Sequence, residues 1–186
     1  LLSYPNKTFT DKEVWEQNAL SPQPIVAGDM LRFKNYVVEV LPAVHTTASV
    51  GYGFSTKKTK LKQDYIGRSQ KDLIDLKNKG FKISEEVITP EFAFFCDSTI
   101  HNLRDYEAWK KYPSVIVEST GFSETHTIEQ VRHRGHTHFD EIVPFMLEHK
   151  TKNWFLIHTS LKCDEATFPE KEKSLQEQGV NLKIIY

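Results

Sequence analysis

Four short apolar runs in this chain end on a histidine or an acid. The run 36–44 leads to His45, 92–96 to Asp97, 114–117 to Glu118 and 154–157 to His158. Such runs read as buried strands, and sites in layered α/β folds gather where strands end. Together they put imidazoles and carboxylates on one rim, a donor set suited to a hard-to-borderline metal. His45, Asp97 and His158 are each followed by small hydroxyl residues: Thr46-Thr47, Ser98-Thr99 and Thr159-Ser160. A tight polar turn there aims a side chain from the rim and offers hydroxyls behind it. No local spacing rule links these three residues, so only the fold can bring them together.

Two further constellations carry chemistry. Arg132 to His138 holds His133, His136 and His138. Spacing of two does not share a helical face, and Gly135 would end a helix, so a loop at a helix N-terminus is expected. His136 is the candidate proton donor or phosphate-orienting group; a surface cluster of no consequence carries even weight. Glu118, in Glu118-Ser119-Thr120-Gly121-Phe122, is either a solvated strand end or the partner of a histidine. A carboxylate beside an imidazole favours the charged ring, which suits a general acid. Lys57, Lys58, Lys60 and Lys62, with Arg68 nearby, read first as a solvated loop and second as phosphate contacts.

The elements that must position these groups follow from pattern. Ala27-Gly28-Asp29 reads as a turn, and 31–33 and 36–41 as paired strands across Lys34-Asn35. Residues 46–67 read as a glycine- and lysine-rich loop facing a substrate. Ser69 caps a helix that Gly80 ends. Thr89-Pro90 interrupts the chain before a strand at 92–96. A short helix is expected over 104–111 and a strand over 115–117. One helix over about 128–134 ends at Gly135. Another starts after Thr137, whose hydroxyl with Asp140 resembles a capping box, and Pro144 predicts a kink or late start there. A strand at 154–157, a helix opened by Pro169 and closed by Gly179, and a strand at 180–185 complete the order. Residues 1–24 are polar, with Ser21-Pro22-Gln23-Pro24 as a connector. Alternating strands and helices imply an α/β layered fold.

The chain has 186 residues, 39% hydrophobic and 26% charged, enough for one ordinary globular domain with a core. With 24 basic and 25 acidic residues, overall charge gives no support for nucleic-acid binding. No run approaches a membrane span. The two cysteines are too few for a disulfide scaffold; Cys96 is expected to be a small core residue. A reducing, cytoplasmic setting is expected, with an organelle interior open. The start has neither a signal peptide nor an initiator Met, so a piece of a longer polypeptide is expected.

Five segments resemble, in order, the motifs of metallo-β-lactamase-fold nucleases of the tRNase Z type. His45 with Gly51-Tyr52 resembles the third histidine motif. Cys96-Asp97-Ser98-Thr99 is similar to Gly-Asp-Thr, whose aspartate bridges two zinc ions. Val117-Glu118-Ser119-Thr120-Gly121-Phe122 resembles His-Glu-Ala-Thr-Phe, and Gly135-His136-Thr137 resembles Gly-His-Ser-Thr. Ile157-His158-Thr159-Ser160-Leu161-Lys162 is similar to the ending His-Phe-Ser-x-Arg-Tyr. Val117, Cys96, Lys162 and Cys163 depart from the family's histidine, glycine, arginine and tyrosine. The interval from His45 to Asp97 is short beside the protruding arm with which bacterial members grip the tRNA elbow. The family's main motif, His-x-His-x-Asp-His, is absent and belongs upstream of Leu1.

The resemblance implies a layered αββα fold of the metallo-β-lactamase type, of which residues 1–186 are the C-terminal portion: a mixed sheet with flanking helices, accompanied by an N-terminal half. It implies His45, Asp97 and His158 as ligands to two zinc ions, with manganese as the alternative. His136, bonded to Glu118, would protonate the leaving oxygen, and Lys57, Lys58, Lys60 and Lys62 would contact RNA. The expected function is zinc-dependent phosphodiester hydrolysis by a tRNase Z-like endoribonuclease acting at RNA 3′ ends, on a tRNA-like substrate. The alternatives are a small-molecule phosphodiesterase or esterase of the same fold and a degenerate, non-catalytic fragment or partner subunit. A homodimer is compatible with this reading, and no membrane association is expected.

Overall fold

A computed structural model describes residues 24–122 and 125–186. Of the connector expected at Ser21-Pro22-Gln23-Pro24, all but Pro24 lies outside them. Seven strands form one sheet in chain order: β1 (Met30–Arg32), β2 (Tyr36–Pro42), β3 (Val50–Leu61), β4 (Ser84–Phe95), β5 (Ser114–Glu118), β6 (Asn153–Ile157) and β7 (Asn181–Ile184). β1 to β4 are an antiparallel meander, and β4 to β7 are parallel. The sheet is therefore mixed, with flanking helices, an α/β fold.

Helix α1 (Gln70–Asn78) lies between β3 and β4; Ser69 caps it by accepting from the Asp72 N–H. Parallel neighbours need crossovers. These carry α2 (His101–Arg104), α3 (Ile128–His133), α4 (Phe139–Glu148) and α5 (Phe168–Glu177). Pairing across the sheet puts Ala93, Val115, Trp154 and Leu182 on one face, with Phe95, Val117, Leu156 and Ile184 two residues on. All are buried in a single cluster with Leu103, Trp109, Ile142, Met146, Phe168 and Leu175 from the crossovers. Each such side chain removed from water contributes roughly 1.5–3 kcal/mol. On the other face Tyr52, Phe54, Phe92, Phe94, Ile116 and Phe155 are only half-buried.

The direction of the strands positions the site. β2 and β4 are both antiparallel to β3, so β2 points the same way as β4, β5 and β6. The residues just beyond their C-terminal ends therefore emerge at one rim.

The structure corrects several expectations. Residues 46–67 are not a loop: residues 50–61 form β3, because Tyr52, Phe54 and their neighbours alternate with the buried Gly51, Gly53 and Ser55. Pro90 does not interrupt the chain but lies inside β4. The register steps from Phe54 opposite Phe92 to Ser55 opposite Pro90, leaving Glu91 as a bulge. A bulge is where a strand tolerates a residue without an N–H. The helix expected at 104–111 does not form: α2 ends at Arg104, and only a 3-10 turn, Ala108–Lys111, falls within that range. The cap of α4 is His138, not Thr137. Its Nδ1 accepts from the Asp140 N–H and Glu141 bonds back to the His138 N–H. Thr137 instead donates to the Ser98 carbonyl. Pro144 sits within α4 and removes one of its backbone donors. Cys96 is exposed rather than core, since Ala93 and Phe95 take the inward positions of the alternation. Among the described residues, no helix is long and apolar enough to cross a membrane.

Buried Lys152 ties the crossover before β5 to the start of β6. Its Nζ donates to the carbonyls of Lys110 and Tyr112, 2.6 Å from each, and lies over the Trp109 ring. Burial pushes its ammonium below the usual lysine range. Between that lowered value and the ordinary one the unfolded chain holds more protons, so stability rises with pH across that alkaline window. Lys152→Met leaves two buried carbonyls without donors and should lower stability by about 2 kcal/mol, read as a lower urea midpoint with an unchanged m-value.

Candidate metal centre

The rim is organised by Glu118, the last residue of β5, whose side chain is 0% exposed. A buried carboxylate is tolerable only when donors surround it. Oε1 accepts from the Ser98 N–H at 2.6 Å and from His136 Nδ1 at 2.9 Å. Oε2 accepts from the Thr120 hydroxyl at 2.5 Å. These bonds reach the turn after β4, the turn between α3 and α4, and the turn after β5.

Thr120 has one hydroxyl proton, and Glu118 takes it. Its oxygen must therefore accept from His158 Nδ1, 2.9 Å away. The network thus assigns the His158 proton to Nδ1 and leaves a lone pair on Nε2. That Nε2 is 3.3 Å from Asp97 Oδ1. His158 has φ +58, alone in positive φ among the described non-glycine residues. That conformation costs roughly 1–2 kcal/mol and is sustained by its surroundings.

The other groups close around Asp97. The His45 and His136 rings meet edge-on with centroids 5.2 Å apart, and His136 stacks on His158 at 5.4 Å. Ligand atoms of His45, Asp97 and His136 lie within 4.8 Å of one another, as do those of Glu118, His136 and His158. His45 Nε2 is buried and has no hydrogen-bond partner. Burial acts to raise the Asp97 carboxyl, but the Cys96 thiol hydrogen bond and the three imidazoles outweigh it and hold the group below the usual carboxylate range. Orphaned nitrogen, carboxylate and imidazole donors at this spacing could hold a metal ion.

All five residues singled out at the rim are therefore neighbours. His136 belongs to both ligand-sized groups, which its sequence position did not reveal. His138, by contrast, is a buried helix cap and His133 is exposed. The lysines are elsewhere. β2 pairs with β3 only up to Thr56 and β5 pairs with β4 only from Phe92, so residues 57–61 and 84–88 form a ribbon that pairs with itself. That ribbon leaves the sheet at the edge opposite the histidines. Lys58 and Lys60 share one of its faces, while Lys57 takes the other and pairs with Glu86 at 3.6 Å. Sequence reasoning missed Thr120 and Ser98. A hydroxyl two residues after a strand-end glutamate was the signal for the first; the second was marked only as a hydroxyl residue after Asp97, whereas its backbone N–H makes the bond.

Replacing Glu118 with Gln removes the charge and one acceptor oxygen, so that the new amide N–H₂ meets the Thr120 hydroxyl, which must give up its donation. The variant should lose about 1–3 kcal/mol of stability, and an unchanged thermal melt would show that Glu118 does not carry these bonds.

Comparison with known proteins places this geometry. The chain is 34% identical to tRNase Z TRZ1 of Arabidopsis thaliana over 131 residues, covering 69% of the chain and 47% of that protein. It is 26% identical to tRNase Z TRZ2, chloroplastic, of the same plant over 166 residues, covering 87% of the chain and 46% of that protein. No family model matches. The chain spans about half the length of the curated relatives it matches, and the relation implies a metallo-β-lactamase fold. The chain is thus a distant homologue of tRNase Z that carries, at one sheet rim, a histidine and carboxylate cluster able to hold metal.

Proposed function

We propose that this chain is the C-terminal portion of a zinc-dependent phosphodiester hydrolase of the tRNase Z kind, acting at the 3′ ends of tRNA-like RNA. The observation that carries the reading is His158 Nε2 facing Asp97 Oδ1 at 3.3 Å, with the unpartnered His45 Nε2 in the same cluster. Two lone pairs aimed at each other ask for a cation between them. His45, Asp97 and His158 would hold the metal, with Asp97 as the shared ligand. Bound zinc, or manganese in its place, supplies Lewis-acid chemistry that polarises the phosphate and acidifies water.

His136 performs the proton transfer. Glu118 accepts from its Nδ1, which fixes the ring and leaves Nε2 to deliver a proton to the leaving oxygen. Zinc takes about four ligands, so a companion N-terminal half supplies the remainder. Its natural seat is the half-buried aromatic face of Tyr52, Phe54, Phe92 and Phe94, and relatives twice as long support this. A reducing compartment such as the cytoplasm suits the two free cysteines.

The ribbon favours RNA over a small phosphodiester. Lys58 and Lys60 lie eight and ten residues along β3 from Val50, roughly 26–33 Å at strand rise. A ligand that meets both the lysines and the rim must be as large as a folded RNA.

The test is metal content and cleavage in the intact protein. Asp97→Ala should lose bound metal and turnover together; retained activity rules out the bridging role. His136→Ala should keep its metal and lose about 10²–10⁴ in turnover. Precursor tRNA should be cleaved in preference to a small phosphodiester dye, and the reverse preference would overturn the RNA reading. Removing Lys58 and Lys60 together should weaken RNA binding and flatten its log–log salt slope by about one per lysine. Lys57→Ala should do less.

A further inference from the structure

We infer that Asn102 is a positioning residue that sets His45 against Asp97, resting on the metal-centre reading above. Asn102 lies in α2 between the apolar core residues Ile100 and Leu103 and is 0% exposed. A buried amide side chain there needs a reason. Its Oδ1 accepts from the Val44 N–H at 2.7 Å. The Val44 carbonyl accepts from the Thr99 N–H, also at 2.7 Å. The residue just before His45 is thus held by both its polar backbone groups, one by the turn after Asp97 and the other by α2, which follows that turn. Asn102 Nδ2 has no partner, so the side chain's bonding is spent on this one contact.

The opposite side is closed by glycine. Gly135, between α3 and α4, has φ +84; a Cβ there would lie 2.9 Å from Thr46 Cγ2 and 3.1 Å from His45 Cδ2. His45 is wedged between the turn carrying Asp97 and the turn carrying His136. It lies farther from a strand end than Asp97, Glu118 and His158: two residues separate it from Pro42, against one between Asp97 and Phe95. Without the clamp nothing else described fixes its backbone, since the other bonds of its ring run only to Thr46 and Thr47. A ligand held this way binds metal without first being ordered.

The experiment uses intact protein stripped of metal and titrated with zinc against a chromophoric chelator, with amide exchange at Val44 read in parallel. Asn102→Ala should weaken one zinc site about 10–100-fold, while Asn102→Asp, which keeps the acceptor oxygen and exchanges the unpartnered amide for a second carboxyl oxygen, should stay within about threefold. Val44 exchange protection should fall in the alanine variant and persist in the aspartate variant. Gly135→Ala should weaken zinc from the other side with Val44 still protected. Unchanged zinc affinity in folded Asn102→Ala, or equal losses in the alanine and aspartate variants, would overturn the clamp. If the alanine variant does not fold, Gly135→Ala decides, and wild-type affinity there overturns the wedge. A wild-type protein that takes up no zinc overturns the hydrolase reading, and this role with it, whereas a zinc-binding wild type with indifferent variants overturns the clamp alone.

Discussion

The rim depends on one buried negative charge. Glu118 lies at the end of a central strand with no access to water, and the cost of its burial is offset by three donors from three separate turns. Each donor is also a positioning group. The Ser98 amide fixes the turn after Asp97, the His136 ring is aimed by its bond, and the Thr120 hydroxyl passes orientation on to His158. Satisfying one carboxylate thus arranges an imidazole, a hydroxyl and a turn at once. Low dielectric strengthens such a network and makes any missing member expensive. The geometry is held before any ligand arrives.

Much of the architecture was legible because the strands are apolar and the punctuation is sharp. Runs ending at Cys96, Val117 and Ile157 match β4, β5 and β6, and Ser69, Gly80, Gly135, Pro169 and Gly179 mark helix ends as their chemistry dictates. The failures have physical causes. β3 looked like a loop because its outer half is lysine and threonine with no core to face. Pro90 looked like a break because a bulge cannot be read without its partner strand. Cys96 looked buried because a continuous aromatic run hides the alternation. Thr137 looked like a cap because its hydroxyl has the right spacing, yet Ser98 offered a better acceptor.

The candidate site was legible in part for a different reason. Strand-end residues are visible in sequence, and strand direction does the rest: with β2 and β4 to β6 aligned, four endings must share a rim. Thr120 and Asn102 were not visible, because their roles consist of bonds to groups far away in the chain. A threonine among hydroxyl residues and an asparagine in a four-residue helix carry no signature of their own. They acquire meaning only when the turn after β4 is seen beside His45 and β5 beside β6.

Every strand in this sheet pairs with its neighbours in the chain, from β1 to β7. A growing polypeptide can therefore add each strand to a free edge as it emerges, without waiting for a distant segment. The rim, however, draws on β2, β4, β5 and β6, so it stays incomplete until His158 has been made. His158, the last of its imidazoles, has to enter a left-handed backbone conformation to take its place. Assembly order in this topology therefore brings the ligand-sized groups together only once the strands around them are in place.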